Sequence, residues 1–244
     1  MCFAAQTSGA EPAKLSGLAF VSQQTRALQA DDTGNPGMLW VLEGEQLWSA
    51  RTGTAAKACA DCHGAAPQSM RGVAARYPAF DASERRLLNL EARIDQCRTL
   101  RQGAPAFTPE SRELLALASF VAHQSRGLPI APPRDPRLAP FLASGARLFR
   151  QRRGQLDLSC HDCHDQRAGQ KLAGNLIPQA HPTGYPLYRL EWQAVGSLQR
   201  RLRGCMTGVR ARAFDYGSPE LIDLELFLMS RAAPLPMETP AVRP

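Results

Sequence analysis

The sequence contains no run of about 18 or more consecutive apolar residues, although 44% of its 244 residues are hydrophobic. Because a helix needs about 20 such residues to cross a bilayer, no membrane span is predicted, while a sizeable core remains possible. Aromatic residues make up only 7%, and they do not alternate with the basic residues, which are mostly arginine and scattered. The formal net charge of +7 therefore does not predict nucleic-acid binding.

The sequence also lacks the even set of cysteines that a complete intrachain disulfide framework requires. It has seven cysteines, at positions 2, 59, 62, 97, 160, 163 and 205. Four of them belong to two Cys-x-x-Cys-His motifs, Cys59-Ala60-Asp61-Cys62-His63 and Cys160-His161-Asp162-Cys163-His164. Cys97 and Cys205 remain, together with Cys2, which is expected to be a free thiol or to form an intermolecular disulfide.

The Cys-x-x-Cys-His motif is the attachment signal of a c-type haem, in which both thiols add to the haem vinyl groups. Zinc sites built from Cys-x-x-Cys pairs would not place a histidine directly after both second cysteines. The sequence thus predicts two covalently bound haem c groups, attached at Cys59, Cys62, Cys160 and Cys163. His63 and His164 are the predicted proximal iron ligands, and the haem propionates would bring the net charge closer to neutral.

Covalent haem attachment usually takes place outside the cytoplasm, so the periplasm is the expected compartment. The start Met1-Cys2-Phe3 is followed within a few residues by small and polar side chains, with no visible signal peptide. The chain is therefore expected to be a mature form whose leader has been removed.

The second half of the sequence repeats the first. Leu47-Trp48 and Cys59 recur as Leu148-Phe149 and Cys160, an offset of 101 residues. The offset is 108 between Cys97 and Cys205, so the second copy carries a seven-residue insertion between its histidine and its lone cysteine. The predicted fold is mainly α, with two cytochrome c-type domains related by duplication. The predicted boundaries are an N-terminal arm (1–36) packed on the first domain, domain 1 (37–128), a Pro-rich linker (129–140) and domain 2 (141–244).

Three helices are predicted in the first half. They cover residues 38–48, the apolar stripe Leu87, Leu90, Ile94 and Cys97, and residues 107–124.

The distal iron ligands are less directly indicated. Cytochromes c commonly use methionine, and Met206 directly follows Cys205. Met70 is too close to His63 in sequence to reach the opposite haem face easily. Cys97 and Cys205 occupy equivalent places in the two repeats, which favours cysteine at both irons. Met206 at the second iron, or a purely structural buried Cys97, remains the alternative.

Arg201 precedes Cys205 by four residues, so both would share one face of a helix. A guanidinium beside the sulfur would bind an anion and favour the thiolate. Arg93 stands four residues before Cys97 in the same way, and the arginine alone therefore does not distinguish the two sites. The insertion in the second repeat does, together with the loop at residues 183–192, which predicts an open pocket at the second haem.

Extended parts of the sequence resemble the dihaem SoxA subunits of the SoxAX cytochromes, which act in the bacterial sulfur-oxidising (Sox) pathway. The resemblance covers nearly the whole chain. Besides the two haem motifs, it is carried by Asn35-Pro36-Gly37-Met38-Leu39-Trp40, Gly72-Val73-Ala74-Ala75-Arg76-Tyr77-Pro78, residues 89–98, Thr183-Gly184-Tyr185-Pro186, residues 188–193 and residues 196–205.

This resemblance implies His/Cys ligation of both irons, by His63 with Cys97 and by His164 with Cys205. It implies that Cys205 is an active-site ligand that can be modified to a persulfide, and that Arg201 is the catalytic arginine. The implied activity is that of an L-cysteine S-thiosulfotransferase, which oxidatively joins thiosulfate to a cysteine of the carrier SoxYZ. The implied partner is the monohaem cytochrome SoxX, in a heterodimer.

Two other functions are compatible with a dihaem cytochrome. A plain electron-transfer protein predicts methionine or histidine ligands and no anion site. A thiosulfate dehydrogenase joins two thiosulfate ions to tetrathionate, and resemblance to that enzyme implies a cysteine ligand at only one haem. Cysteines in both halves favour the thiosulfotransferase.

Overall fold

A computed structural model describes residues 13–244, so Cys2 and the first 12 residues of the predicted arm lie outside it. The α-helices are α1 Gln23–Ala30, α2 Met38–Ser49, α3 Cys59–His63, α4 Ala66–Ser69, α5 Leu90–Cys97, α6 Arg112–His123, α7 Ala139–Arg150, α8 Cys160–His164, α9 Leu198–Gly208 and α10 Pro219–Ala232. The strands are β1 Ala79–Asp81, β2 Arg86–Leu88, β3 Lys171–Leu172, β4 Asn175–Leu176, β5 Leu187–Arg189, β6 Ala194–Gly196 and β7 Val242–Arg243. The mainly α prediction is confirmed. None of the helices between residues 13 and 244 has the length and apolarity needed to cross a membrane.

Each half is built on one closely packed helix pair, α2 with α6 and α7 with α10. A glycine sits at the equivalent point of each pair, where the helices approach most closely. A Cβ atom on Gly44 would lie 2.1 Å from the Ala116 carbonyl oxygen, and one on Gly145 would lie 2.2 Å from that of Asp223. Any larger residue would push the two helices apart. Both halves therefore use a glycine to allow the close approach of their helix pair.

The two halves also share a small antiparallel hairpin in front of the helix that carries the lone cysteine. β1 pairs with β2 before α5, and β5 pairs with β6 before α9. The sequence offset is 101 up to His164 and 108 between Tyr185 and Cys205. The predicted insertion therefore lies in the segment that contains the exposed β3–β4 hairpin, which has no counterpart between His63 and Tyr77 of the first half.

Some of the predicted helix bounds are wrong. Leu87 lies in β2 and not on the α5 stripe, because Asn89 caps α5 by accepting a hydrogen bond from the Ala92 N–H. The helix predicted for residues 107–124 begins only at Arg112, where Ser111 is the N-cap. The predicted linker, residues 129–140, overlaps the start of α7 at Ala139. The domain boundaries themselves remain a prediction.

The N-terminal arm contacts both halves, and not only the first domain as predicted. Arg126 of the first half pairs with Asp32 at 2.6 Å. The Leu15 carbonyl accepts a hydrogen bond from the His181 Nδ1 (2.7 Å), in the second half. The reason is that the arm can bury apolar side chains such as Val21 (8% exposed) against the second half.

The C-terminal segment contacts the arm and both halves. β7 pairs in parallel with β5, which makes β5 the central strand of a three-stranded sheet. The Val242 N–H donates to Gln29 Oε1 (3.1 Å), and Asn35 Nδ2 donates to the Pro240 carbonyl (2.9 Å). The Met237 N–H donates to the carbonyl of Leu128. The last residues of the chain thus contact the arm, the first half and the second half.

A buried carboxyl group lies where the two repeats meet. Glu225 of α10 accepts hydrogen bonds from Gln199 Nε2 (2.6 Å) and Asn89 Nδ2 (3.2 Å), which belong to different repeats. Burial, followed by the neighbouring charge of Glu91, raises the pKa of Glu225 to about 8 from its ordinary 4.5. Glu110 acts in the same direction. The carboxyl group is therefore expected to carry a proton near neutral pH.

This arrangement predicts that the folded protein becomes less stable as the pH rises from about 5 to 8. In that window the folded state retains a proton that the unfolded state has lost, so the free energy of unfolding decreases with pH. Glu225→Gln keeps a hydrogen-bonding group but cannot ionise. It should reduce this dependence, to which Glu91 also contributes because burial raises its pKa to about 7, and it should raise the free energy of unfolding at pH 8 by about 1–3 kcal/mol.

The measurement is denaturant unfolding of the haem-loaded protein between pH 5 and 8. Glu45→Gln, at an exposed position on α2, is the matched control and should follow the wild type. Equal pH slopes in the Glu225 variant and the wild type would contradict the prediction.

Candidate functional site

The first predicted haem site is a cavity of about 760 Å³. This volume lies within the range of about 300–1,000 Å³ that small-molecule and cofactor pockets occupy. The predicted haem ligands Cys59, Cys62, His63 and Cys97 all line it. Two thiols for covalent attachment, an imidazole and a third thiol in one cavity supply the attachment points and two candidate iron ligands of a c-type haem. The residues of this site therefore fit the group.

Both haem motifs are short helices with the same stabilised first turn. Asp61 Oδ2 accepts a hydrogen bond from the Ala58 N–H, and Asp162 Oδ2 accepts one from the Ser159 N–H, each at 2.9 Å. Because the first cysteine lies three residues before the second and four before the histidine, the helical turn brings it next to both side chains. The motif aspartates thus hold the geometry that haem attachment needs.

The motif histidines are oriented by their neighbours. His164 Nδ1 donates to the Pro178 carbonyl (2.6 Å), which fixes the proton on Nδ1 and leaves Nε2 free to ligate iron. The His63 ring lies 5.7 Å from that of Trp48, whose Nε1 donates to the Gly64 carbonyl at 3.1 Å. Each predicted proximal ligand is therefore held by a neighbouring residue, His164 by the Pro178 carbonyl and His63 by the Trp48 ring.

The second predicted site is a smaller cavity, of about 170 Å³. Its lining includes His164 of α8, Cys205 and Arg201 of α9, Tyr185 and Arg189. Cys160 and Cys163 lie on α8 beside His164 but do not line this cavity. Burial and the nearby Cys205 charge raise the pKa of Cys160 to about 11, which places Cys160 close to Cys205. The residue types again match the donor set of a c-type haem, whereas the cavity itself is smaller than the range of about 300–1,000 Å³ that cofactor pockets occupy.

The two lone cysteines differ in their electrostatic environment. Burial tends to raise the pKa of the Cys205 thiol, but the adjacent His164 imidazole and the charges of Arg201 and Arg189 lower it below the ordinary value. At Cys97, burial outweighs the charges of Arg93 and Arg101, and the pKa is raised. The thiolate form is therefore favoured at Cys205 and not at Cys97.

Arg201 and Cys205 lie one turn apart in α9, as the spacing predicts, and both face the second cavity. Burial would lower the pKa of Arg201, but the charge on Cys205 and then that of Tyr185 raise it. The guanidinium and the sulfur therefore stabilise each other's charged forms.

The competing ligand Met206 points in another direction. Its side chain is 7% exposed and packs with Phe149, Leu202 and Leu221 in the core of the second half. It does not line the second cavity, whereas Cys205 does. Met70, in contrast, lines the first cavity together with Cys97. The geometry thus favours Cys205 over Met206 as the distal ligand of the second site.

Several cavity residues were not singled out by the sequence reasoning. Arg189 and Arg243 both line the second cavity, and so do Gly17, Phe20 and Val21 of the arm. They come from β5, β7 and the N-terminal segment, so only tertiary packing brings them to α9. The sequence does contain one signal for Arg189. The 108-residue offset places it at the position of Asp81 in the first repeat, so the charge at this position differs between the repeats.

Comparison with known proteins places this architecture in a family. The model of the SoxA/TsdA cytochrome c domain matches the chain twice, at residues 43–130 and 144–237. The SoxA subunit of L-cysteine S-thiosulfotransferase from Pseudaminobacter salicylatoxidans is 38% identical over 230 residues, which cover 94% of this chain and 80% of that protein. The corresponding subunit of Rhodovulum sulfidophilum is 37% identical over 228 residues, covering 93% and 79%.

The crystal structure of SoxXA from P. pantotrophus superimposes with a TM-score of 0.91 at 33% identity, and it covers 95% of this chain and 87% of the matched chain. The two predicted cytochrome c-type domains are therefore confirmed as a fold. With two family matches, relatives above 30% identity along most of their length and a near-complete structural match, the chain belongs to the SoxA family of cytochrome c proteins.

Proposed function

We propose that this protein is the SoxA-type subunit of an L-cysteine S-thiosulfotransferase, with thiosulfate as one substrate and a cysteine of a SoxYZ-type carrier as the other. Its relatives bear this enzyme name. The single observation that carries the proposal is the pairing of Cys205, whose pKa is lowered, with Arg201 in one cavity. A stabilised thiolate beside a guanidinium suits sulfur chemistry on an anion.

The overall reaction forms one S–S bond. The outer sulfur of thiosulfate joins the sulfur of the carrier cysteine, the carrier thiol loses its proton, and two electrons leave. The product is a cysteine S-thiosulfonate on the carrier. Haem c, when bound, supplies an acceptor for these electrons.

In this proposal the chain's own residues bind and orient the reactants. Arg201 holds the sulfonate end of thiosulfate by charge-assisted hydrogen bonds and keeps Cys205 ionised. Cys205 is the sulfur at which thiosulfate is handled, and it would also hold the iron of the second haem. His164 would be the other residue that holds this iron, and Cys160 and Cys163 would attach the haem.

The first site would hold the other haem c. Cys59 and Cys62 would attach it, and His63 and Cys97 would hold its iron. The raised pKa of Cys97 and the absence before it of the insertion found in the second repeat argue against a second catalytic centre there. A thiolate ligand favours ferric iron and lowers the haem potential. A monohaem cytochrome of the SoxX type is therefore proposed as the partner that accepts the electrons, in a heterodimer in the periplasm.

The test is an assay of the haem-loaded heterodimer with thiosulfate, an oxidant and the carrier. Mass spectrometry of the carrier should show one added thiosulfonate group per cysteine. The control is a carrier whose cysteine has been replaced by serine, which should gain nothing. Tetrathionate formed without carrier, at a rate that the carrier does not change, would instead identify a thiosulfate dehydrogenase.

A further inference from the structure

The duplication allows the two cysteine sites to be compared residue by residue. A constant offset of 108 relates Cys97 to Cys205 and Arg93 to Arg201. The same offset relates the last residue of β1, Asp81, to the last residue of β5, Arg189. An acidic residue in the first repeat is thus replaced by a basic residue at the same place in the second.

In the first repeat the carboxylate of Asp81 neutralises the charge of Arg93. Arg93 Nη2 lies 2.7 Å from Asp81 Oδ2, and Arg93 Nε donates to the Tyr77 hydroxyl at 3.2 Å. Asp81 is 6% exposed, and hydrogen bonds from Ser83 and from the Glu84 N–H, with those from Gln96 and Arg93, hold its pKa below the usual range. Arg93 therefore has a permanent carboxylate partner.

In the second repeat Arg201 has no such partner. Within residues 13–244 no carboxylate lies within 4.0 Å of its guanidinium. Arg189 stands where the carboxylate would be, and both arginines line the cavity that contains Cys205. Burial and then the positive charge of Arg201 lower the pKa of Arg189, so the two guanidinium groups repel each other.

Arg189 is itself incompletely paired. It is 8% exposed, and its Nε lies 3.0 Å from Glu191 Oε1 without donating a hydrogen bond to any described atom. The Glu191 side chain is 51% exposed, so water screens its charge. The third arginine of the cavity, Arg243, differs because it pairs at 2.6 Å with Glu238, whose side chain is 11% exposed.

We infer that Arg189 is a second anion-binding residue, and that Arg189 and Arg201 together bind the dianionic substrate beside Cys205. Two like charges that line one cavity, of which Arg189 is buried and Arg201 half-buried, are costly to hold together, and a bound dianion would neutralise both. A monoanion would neutralise only one. Arg189 would therefore set the preference for a doubly charged oxyanion such as thiosulfate, and this inference rests on the proposed function.

The test compares the binding of two inert probes to the oxidised haem-loaded heterodimer. Sulfate represents a dianion and methanesulfonate a monoanion, and calorimetry gives the Kd of each. Arg189→Gln should weaken sulfate binding about tenfold and change methanesulfonate binding much less. Arg189→Asp should weaken sulfate at least as much, because its carboxylate would pair with Arg201 as Asp81 pairs with Arg93. Arg189→Lys should retain part of the preference.

The matched control is Arg200→Gln. Arg200 lies next to Arg201 on α9, but it stacks on Trp192, with its Cζ 4.1 Å from the ring centroid, and does not line the cavity. The Arg200→Gln variant should therefore leave the Kd values of both anions unchanged. Unchanged Kd values in Arg189→Gln, or an equal loss for both anions, would overturn the inference.

A second variant covers the case in which Arg189→Gln fails to incorporate haem. Glu191→Gln removes the solvent-screened partner of Arg189 and should tighten sulfate binding, and no tightening would also overturn the inference. Because the probes bind without turnover, the result is independent of the carrier assay. If the wild type loads the carrier but the Arg189 variants bind both anions normally, the inference is wrong and the proposed function stands. If the wild type binds sulfate through Arg189 but never loads the carrier, only the proposed function is wrong.

Discussion

Replacement of Cys205 by alanine is expected to abolish thiosulfate transfer to the carrier, by roughly three orders of magnitude or more. The variant loses the only cavity-lining thiol within residues 13–244 whose pKa is lowered. It also loses the proposed distal ligand of the second haem. Low-temperature electron paramagnetic resonance should therefore show the disappearance of one of two thiolate/histidine low-spin signals, while the transfer assay falls to background.

The corresponding Cys97→Ala variant is the matched control. It should remove the other low-spin signal and leave much of the transfer activity, because the pKa of Cys97 is raised and Arg93 is already neutralised by Asp81. The opposite pattern, with activity retained in Cys205→Ala and lost in Cys97→Ala, would place the active site at the first haem.

Replacement of Arg201 by alanine should slow transfer by about ten- to a hundredfold with both haems still attached. A hydrogen bond to a charged group contributes about 1.5–3 kcal/mol, and each 1.36 kcal/mol changes a rate tenfold. The loss should appear in kcat/KM for thiosulfate, since Arg201 is proposed to hold the sulfonate. Arg212→Ala removes an equal charge from an exposed position and should have little effect. Wild-type kcat/KM in Arg201→Ala would show that the anion is bound elsewhere.

Much of this site could be predicted because its key residues are close in sequence. The haem motifs are contiguous, and Arg201 and Cys205 are separated by one helical turn. Helical geometry alone then fixes which side chains share a face. The offset between the repeats also located the insertion that carries the β3–β4 hairpin.

The remaining features depend on contacts between distant parts of the chain. Arg189 reaches the cavity from the end of β5, whose position depends on its pairing with β6 and β7. The arm residue Phe20 reaches it through the fold of the whole N-terminal segment. Leu87 was assigned to a helix because an apolar residue three positions before Leu90 fits a strand or a helix equally well. Its pairing with Phe80 across the hairpin decides the matter.

The path of the C-terminal segment bears on how the protein folds. The Val242–Gln29 hydrogen bond joins residues 213 positions apart, and β7 completes the sheet that positions Arg189. Contacts of such high sequence separation form late and slowly, because the intervening chain must be ordered first. The strand that completes the sheet of the second repeat thus also contacts the arm at Gln29. We therefore expect the two repeats to unfold together and not as independent domains.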